Sequence, residues 1–466
     1  MNDDSSSTAV ASRIEDLIQS MPPGSRLPSY RELQQRYRLS PATVQRILAD
    51  LSRRGLLVTR PGSGTYTAHR RRPAAAADVS WQTLALGTRT GLSADLERLV
   101  DPGAADALPL TSGFLDERLQ PLGLLAAAGA RSARRPQAWS RLPPQGLPEL
   151  RAFFAAETGA AVTEQNVLIT PGGQAALSAV FRHLCAPGDP VILESPTYVG
   201  AIAVARAAGL TLVPVPGDEH GMLPDVLDDA LARTRARLVY LQPRYSNPAG
   251  AILAPDRRVA VLEAVARHGA FLLEDDWMRD FDLGPPSPPP LASMDDDGHV
   301  IYLRSLSKPV APGMRVAGLA ARGPVLARLR RGRISDDLFV APVLQQIALD
   351  VLTAPGWIRH LGGIRRALRE RRDALAAAIR ATLPGCALPL VPAGGVHLWL
   401  RLPDSWSDVD VADLAAARGL ALSPGRMSFP SEPPGQYLRL SYSAAEPFAL
   451  AMAVQILAGI LAGEPG

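Results

Sequence analysis

Lys308 is the only lysine in a chain of 466 residues, and the other 48 of its 49 Lys and Arg residues are arginine. Arginine replaces lysine in most ion pairs and phosphate contacts, but its guanidinium stays protonated and forms no Schiff base. Lys308 follows the apolar run from Val300 to Leu303. A lysine near the end of a buried strand is desolvated, which lowers the pKa of its amine and favours imine formation with an aldehyde. The alternative is that one lysine survived by chance in an arginine-biased chain.

Other side chains with suitable chemistry stand where apolar runs end. Asp275 follows the run from residue 271 to 273, and a carboxylate there can pair with a protonated pyridine nitrogen and keep the ring an electron sink. Residues 170–174, Thr-Pro-Gly-Gly-Gln, lie between an expected strand and an expected helix, and a helix N-terminus suits a phosphate. Arg315, which follows Lys308 closely in the sequence, is a candidate phosphate partner.

Three weaker motifs add to this set. Tyr198 in Glu-Ser-Pro-Thr-Tyr is placed to stack on such a ring, and Asn247 in Asn-Pro-Ala-Gly to bond its hydroxyl. The third is Arg439 in Leu-Arg-Leu-Ser-Tyr-Ser. Each motif alone is a weak indication, because Gly-Gly and Asn-Pro-x-Gly sequences are mostly turns. An isolated arginine such as Arg439 is more often a surface residue. Their order along the chain, together with the only lysine, favours a cofactor site over a domain without one.

The elements that must position these groups alternate from about residue 108. Apolar strands are predicted around residues 167–169, 191–193, 238–241, 271–273 and 300–303, separated by helical stretches. This alternation predicts an α/β domain with a mainly parallel sheet. A long helix is expected over residues 357–383, followed by a smaller α+β piece with strands at 396–400 and 437–441.

The N-terminal segment differs from the rest in charge. Residues 12–72 hold 12 arginines against four acidic residues, whereas the whole chain has a net charge of only +4. A basic first domain on a nearly neutral body indicates a nucleic-acid-binding module joined to another domain.

Helix and hairpin signals organise this basic segment. A first helix is predicted over residues 12–20, a second after Ser29 with Glu32 completing a capping box, and a third from the Ser40-Pro41 start to about residue 53. Two short strands flank the turn at residues 61–64. Three helices followed by a β-hairpin predict a winged helix-turn-helix.

The third helix would be the one that reads DNA in the major groove. The candidate DNA-binding residues are spread over the second helix, the start of the third helix and the wing: Arg31, Ser40, Ala42, Thr43, Gln45, Arg46, Gly62 and Ser63. The alternative is a winged helix used only for protein contacts, which the positive charge of the segment disfavours.

The stretch PPGSRLPSYREL…LSPATVQRILADLSRRGLLVTRPGSGTYT resembles the DNA-binding domain of GntR-family regulators over about 60 residues. In that family, the residue after the helix-capping serine is often an arginine that contacts DNA. Pro41 stands at that place here, so the resemblance implies that this contact is absent or is made by Arg38 or Arg46.

From about residue 108 to 460 the chain resembles fold-type I pyridoxal-phosphate enzymes of the aminotransferase class I/II group, most specifically in SLSKPVAPGMRVAG. The resemblance implies that Lys308 is the internal aldimine lysine and Asp275 the partner of the pyridine nitrogen. It also implies that the phosphate is bound by Gly173, Gln174, Ser305 and Arg315. Tyr198 would stack on the ring and Asn247 would bond the ring oxygen. Arg439 would bind the carboxylate of the substrate.

Two positions depart from the pattern of that group. Trp277 stands where a tyrosine usually follows the ring aspartate, and an indole N–H donates a hydrogen bond but neither accepts one nor ionises. We therefore expect Trp277 to bind the cofactor but to influence its ring oxygen differently from a tyrosine. Arg141 stands where a tyrosine usually reaches the neighbouring subunit's phosphate, and arginine also binds phosphate.

A GntR-type head followed by an aminotransferase-like domain is the arrangement of the MocR subfamily of bacterial regulators. The resemblance implies a homodimeric transcription factor that binds pyridoxal 5'-phosphate and double-stranded DNA with two half-sites. It would sense pyridoxal phosphate or a small amino compound by aldimine exchange at Lys308. The small subdomain that carries Arg439 would then close and reposition the DNA-binding domains. The alternatives are a working aminotransferase with a DNA-binding head and, disfavoured by Lys308, Asp275 and Arg315, a cofactor fold without chemistry.

The cysteine content and the hydropathy of the chain argue against other classes of protein. The two cysteines, Cys185 and Cys386, are far apart and form no zinc-ribbon or redox motif, so no metal site is expected. The polar start and the absence of a long apolar stretch predict a soluble, cytoplasmic protein without a membrane span. The expected division is a winged helix over residues 8–68, a linker over 69–107, and the aminotransferase-like domain over 108–464, with its small subdomain from about 350.

Overall fold

The computed structural model describes residues 3–68, 78–86, 107–159 and 161–463. The chain separates into two compact units, a small unit (Met1–Thr88) and a large unit (Arg89–Gly466). Most of the expected linker, residues 69–77 and 87–106, lies outside the described residues.

The small unit contains the predicted three helices and hairpin. Its elements are α1 (Asp3–Ser20), α2 (Tyr30–Tyr37), α3 (Pro41–Arg53), β1 (Leu57–Arg60), β2 (Gly64–Thr67) and a short helix α4 (Trp81–Leu86). β1 and β2 pair as an antiparallel hairpin. The winged helix-turn-helix is confirmed, and only α1 differs, beginning at Asp3 rather than Ser12. The polar stretch before Ser12 has no apolar periodicity from which that extension could be predicted.

Local sequence explains where α2 and α3 begin. Ser29 and Glu32 form the predicted capping box, in which Ser29 Oγ accepts from the backbone of Glu32 and the Glu32 carboxylate accepts from the backbone of Ser29. Ser40 caps α3 by accepting from the backbone N–H of Thr43. The apolar face of α3 packs into a small core with residues of α1, α2 and β1: Ile14, Ile18, Leu33, Val44, Ile47, Leu48, Leu51 and Leu57.

The large unit alternates strands and helices as predicted. Its helices are α5 (Leu122–Ala133), α6 (Pro148–Thr158), α7 (Gly173–Leu184), α8 (Val199–Ala207), α9 (Pro224–Thr234), α10 (Pro255–Arg267), α11 (Pro324–Asp337), α12 (Pro342–Leu352), α13 (Trp357–Thr382), α14 (Asp408–Ala416) and α15 (Pro447–Leu461). Its strands are β3 (Leu108–Pro109), β4 (Val167–Thr170), β5 (Pro190–Ser195), β6 (Thr211–Asp218), β7 (Gly221–Met222), β8 (Leu238–Leu241), β9 (Phe271–Asp275), β10 (Val300–Ser305), β11 (Ala317–Ala320), β12 (His397–Arg401), β13 (Leu420–Ala421), β14 (Ser423–Pro424) and β15 (Tyr437–Ser441).

An eight-stranded sheet in the order β4-β11-β10-β9-β8-β5-β6-β7 forms the centre of the large unit. The strands from β10 to β6 in that order pair in parallel, while β11 is antiparallel to both β4 and β10. The central strands are buried on both faces, because helices cover the sheet from both sides. The mainly parallel sheet is therefore confirmed, and it brings the carboxyl ends of β5, β8, β9 and β10 to one edge.

A smaller α+β part follows the sheet. α13 is the long helix predicted over residues 357–383, and β12, β15 and β14 form a three-stranded antiparallel sheet. The first strand of the large unit joins this part, since β3 pairs in parallel with β13. None of the helices in the described part of the chain is long and apolar enough to span a membrane.

Candidate cofactor and ligand site

A cavity of about 420 Å³ opens in the large unit where the carboxyl ends of the parallel strands meet the small α+β part. All ten residues predicted to bind cofactor or substrate carboxylate line it: Gly173, Gln174, Tyr198, Asn247, Asp275, Trp277, Ser305, Lys308, Arg315 and Arg439. The described lining does not include Arg141, which is exposed on the loop after Trp139.

Lys308 lies in a turn just after β10 and reaches into the cavity. Its Nζ stands 3.7 Å from the centre of the Phe114 ring. Burial, helped by the neighbouring cations Arg439 and Arg315 and opposed by Asp275, lowers the pKa of this amine from 10.5 to about 7. A large fraction of the amine is therefore neutral, and hence nucleophilic, near neutral pH.

Asp275 ends β9 on the floor of the cavity. Its Oδ2 accepts hydrogen bonds from Tyr240 Oη at 2.8 Å and from Gln242 Nε2 at 3.0 Å. Desolvation raises the pKa of this carboxyl to about 6, although both hydrogen bonds lower it. A buried carboxylate with this environment gains from a cationic partner, as a protonated pyridine nitrogen would be.

The N-terminus of α7 and Arg315 form a positively charged cup at another wall of the cavity. Arg315 Nη1 donates to Ser307 Oγ at 3.3 Å, and Ser305 lies beside Ser307 at the cavity wall. Gly172, at φ +94°, permits this arrangement, since a Cβ there would lie 2.8 Å from Arg315 Nη2. Backbone N–H groups at a helix N-terminus and a guanidinium together suit a phosphate group.

Gln174 lies in the first turn of α7 and lines the cavity. Its side chain is engaged at both ends, because Nε2 donates to the carbonyl of Gly200 at 2.9 Å and Oε1 accepts from Tyr198 Oη at 3.1 Å. The side chain therefore orients the Tyr198 ring, and what Gln174 offers to a phosphate is its backbone N–H in the first turn of α7.

The Trp277 indole is likewise engaged. Its Nε1–H donates to the backbone carbonyl of Tyr245 at 3.1 Å. The ring lines the cavity and stacks on His397, with ring centroids 5.6 Å apart and planes at 22°. The indole N–H is therefore occupied within the protein, and Trp277 presents its aromatic surface to the cavity.

Arg439 brings the small α+β part to the cavity. Its Nη1 donates to Asn247 Oδ1 at 3.2 Å, and its Nη2 donates to the carbonyl of Thr111 at 2.9 Å and to Ser423 Oγ at 3.2 Å. Burial lowers the pKa of this guanidinium only to about 10, so it stays cationic at neutral pH. A buried cation facing the amine-bearing end of the cavity suits the carboxylate of an amino acid.

Sequence reasoning missed several residues of this cavity, among them Phe114, Gln242, Ser307 and His397. Gln242 directly follows the apolar run of β8, so the strand-end rule applied to Asp275 could have found it. Phe114 precedes the sheet in the chain and carries no motif. His397 sits within an apolar strand pattern, where a histidine ordinarily indicates a core position.

These residues fit pyridoxal phosphate. A primary amine with a lowered pKa, a buried carboxylate and a cationic cup at a helix N-terminus share one cavity, and aromatic rings line it. This donor set supplies a covalent anchor, a partner for a pyridine nitrogen and a phosphate-binding group.

In the small unit, all the predicted DNA-binding residues except the half-buried Thr43 are exposed. Arg31, Ala42, Gln45, Gly62 and Ser63 are exposed. The hydroxyl groups of Ser40 and Thr43 bond each other at 2.8 Å at the start of α3, so Ser40 acts first as a helix cap. Arg46 is exposed on α3, one turn after Ala42.

Two family profiles match the chain. The family described as aminotransferase class I and II matches residues 106–457, and that described as bacterial regulatory proteins, gntR family, matches residues 6–67. The uncharacterized HTH-type transcriptional regulator YdfD of Bacillus subtilis is 26% identical over 91% of this chain and 89% of that protein. The 2-aminoadipate transaminase of Thermus thermophilus is 33% identical over 76% of this chain and 90% of that protein.

A solved structure has the same fold as the large unit. The α-aminoadipate aminotransferase LysN of Thermus thermophilus, complexed with N-(5'-phosphopyridoxyl)-L-leucine, superposes with a TM-score of 0.74 at 31% identity and covers 80% of this chain and 96% of that one. The cofactor implied by the fold is pyridoxal phosphate. The chain therefore belongs to the aminotransferase class I and II family and carries a gntR-family DNA-binding domain ahead of it, the arrangement of MocR-type regulators.

Proposed function

We propose that this protein is a transcriptional regulator whose large unit binds pyridoxal phosphate and responds to a small amino compound that displaces Lys308. The observation that carries the proposal is the shared cavity of Lys308, Asp275, Arg315 and Arg439 in a chain that also has a DNA-binding domain. The regulator-named relatives, which match about nine-tenths of this chain, support the same conclusion.

When bound, pyridoxal phosphate supplies an aldehyde carbon and an electron-withdrawing ring. Lys308 supplies the amine that anchors it, Asp275 holds a proton on the ring nitrogen, and Arg315 with the α7 N-terminus binds the phosphate. Asn247 offers its amide N–H to the ring oxygen, because its Oδ1 already accepts from Arg439. Tyr198 and Trp277 cover the ring, and Arg439 binds the carboxylate of the incoming amino compound.

The small unit binds double-stranded DNA in this proposal. Gln45 and Arg46 on α3 enter the major groove, while Arg31 and the wing at Gly62 and Ser63 contact the backbone. The protein acts in the cytoplasm as a homodimer, so its operator has two half-sites. In this proposal the dimer adopts two arrangements of its DNA-binding domains. The ligand changes DNA binding only if its affinity for the two arrangements differs.

The test is a visible-absorbance titration of the purified protein with pyridoxal phosphate and then with a panel of amino acids and amines. The same ligands are added to binding assays with DNA selected from a random-sequence pool. One ligand that shifts the band stably and changes DNA affinity is the expected result. Lys308→Ala should abolish both responses, and an intact DNA response in that variant would contradict the exchange mechanism.

A working aminotransferase is the second candidate. The Arg439–Asn247 pair favours it, because capture of a carboxylate and tuning of the ring oxygen are both needed for turnover. Some similar proteins carry aminotransferase names, the 2-aminoadipate transaminase among them. Decay of the band with an amino acid, followed by its recovery with a keto acid over many cycles, would establish this candidate.

A further inference from the structure

His397 is a buried polar residue in the cavity to which the proposed function assigns no role. It begins β12, is 5% exposed and lines the cavity together with Lys308 and Arg439. A histidine at such a place is either a packed core residue or a group that meets the ligand.

The imidazole packs against an aromatic ring of the cavity. It stacks on Trp277, whose own ring is fixed by the hydrogen bond from Nε1 to the Tyr245 carbonyl. A point beside Gly113, where a Cβ would stand, lies 3.3 Å from His397 Nε2 and 3.2 Å from Lys308 Nζ. The imidazole nitrogen and the reactive amine thus face the same glycine across the cavity.

Within the described part of the chain, neither ring nitrogen of His397 has a hydrogen-bond partner. A buried polar group without a partner is unfavourable, so it favours a ligand that satisfies it. A purely structural histidine would be expected to bond a neighbouring backbone or side-chain group, as most buried polar groups do.

The charge around the imidazole limits what it can bind. Burial and the cations Arg439 and Lys308 hold the pKa of His397 well below its ordinary value, so the ring is neutral. A neutral imidazole donates one hydrogen bond and accepts one. It suits a hydroxyl, amide or carboxylate oxygen, while a second ammonium group would meet the Arg439 cation.

We propose that His397 selects the amino compound by a hydrogen bond to an oxygen on its side chain. Arg439 is assigned to the carboxylate and Lys308 to the amino group, so the remaining variable part of the ligand is what His397 meets. The ligand class is then amino acids with an oxygen-bearing side chain, not hydrocarbon or cationic ones. This inference rests on the proposed function, because it concerns ligands that displace Lys308.

The test uses the pyridoxal-phosphate-loaded protein and sets of amino acids of similar shape. L-Homoserine, L-norvaline and L-2,4-diaminobutyrate differ at one side-chain position, and L-asparagine is compared with L-leucine. Midpoints of the absorbance shift measure their binding. At least one oxygen-bearing member should bind about tenfold more tightly than its hydrocarbon counterpart.

Variants separate selection from packing. His397→Phe keeps an aromatic ring on Trp277 and should remove the preference, whereas His397→Gln keeps a donor and an acceptor and should retain part of it. His360→Phe is the matched control, because His360 also stacks on a tryptophan, Trp357, with ring centroids 6.0 Å apart, but does not line the cavity. It should leave the preference unchanged.

The outcomes distinguish the inference from the proposed function. Band shifts with equal midpoints for oxygen-bearing and hydrocarbon ligands would overturn the role of His397 alone. A preference that survives in His397→Phe would do the same. A loaded protein whose band no amino compound shifts would overturn the proposed function and this inference with it.

Discussion

Nη1 of Arg439 donates to Oδ1 of Asn247 across 3.2 Å, which ties β15 of the small α+β part to the loop after β8. One residue is assigned to the ligand carboxylate and the other to the ring oxygen of the cofactor. A ligand that draws the guanidinium towards its carboxylate therefore also changes the hydrogen bonding of the amide.

Arg439→Gln should weaken binding of amino acids to the loaded protein by about 10- to 100-fold, since a hydrogen bond to a charged group contributes about 1.5–3 kcal/mol. Ethylamine, which has no carboxylate, should bind nearly as before, and titration of the visible band measures both. Arg401→Gln is the control, because Arg401 is an exposed arginine of β12 paired with Asp404. Equal losses for L-alanine and ethylamine would show that Arg439 acts on the fold and not on the carboxylate.

Gly172→Ala should weaken binding of pyridoxal phosphate by about tenfold or more, because the new Cβ displaces the Arg315 guanidinium from the cup. Gly188→Ala is a matched control, with φ +90° against +94° at Gly172 and nothing within 4 Å of its Cβ. Both variants should lose similar stability, by about 1 kcal/mol, through backbone strain. Thermal unfolding of the apoprotein and a cofactor titration separate the two effects. Equal cofactor affinity in the two variants would rule out a phosphate cup at Gly172.

The rate of covalent capture of pyridoxal phosphate by the apoprotein should rise with pH up to about 7 and change little above it. Lys308 must be neutral to attack, and its pKa is lowered from 10.5 to about 7, so the protonated and unreactive form prevails only below that pH. Removing a neighbouring cation in Arg439→Gln should move the midpoint upwards, and Lys308→Arg should show no capture. A rate that keeps rising towards the ordinary pKa of a lysine amine would contradict this environment.

Arg31→Ala should reduce affinity for all DNA sequences and lower the slope of log affinity against log salt by about 1, as expected for a lost phosphate contact. Gln45→Ala should instead relax the sequence preference at one base pair. Arg53→Ala is a suitable control, because Arg53 is a 77% exposed arginine at the far end of α3. Salt-dependent binding assays on selected DNA test all three. A salt slope lowered equally by Arg53→Ala would remove the specific role of Arg31.

The sequence predicted the elements and the membership of the cavity better than the contacts inside it. Local signals such as the capping box at Ser29 and Glu32 need only neighbouring residues, and they appear as predicted. The bond between Arg439 and Asn247 joins residues far apart in sequence and follows only from the packed fold. The hydrogen bonds that occupy Gln174 and Trp277 were not predictable for the same reason.

The strand order and the role of His397 also could not be predicted from the sequence. β11 is not among the predicted strands, because its sequence Ala-Gly-Leu-Ala carries no strand signal, and it inserts antiparallel between β4 and β10. His397 begins β12, whose first four residues are all buried, so the burial pattern alone does not separate a core histidine from one that meets a ligand. Its missing partners become visible only when the surrounding side chains are in place.

The pairing of β3 with β13 has a mechanical consequence. Leu108 and Pro109 anchor the start of the large unit on the small α+β part, and two residues later the Thr111 carbonyl accepts from Arg439. The N-terminal end of the described part of the large unit is thus bonded directly to the guanidinium that lines the cavity. In the proposed regulator, a displacement of Arg439 would reach this end of the large unit without passing through the central sheet.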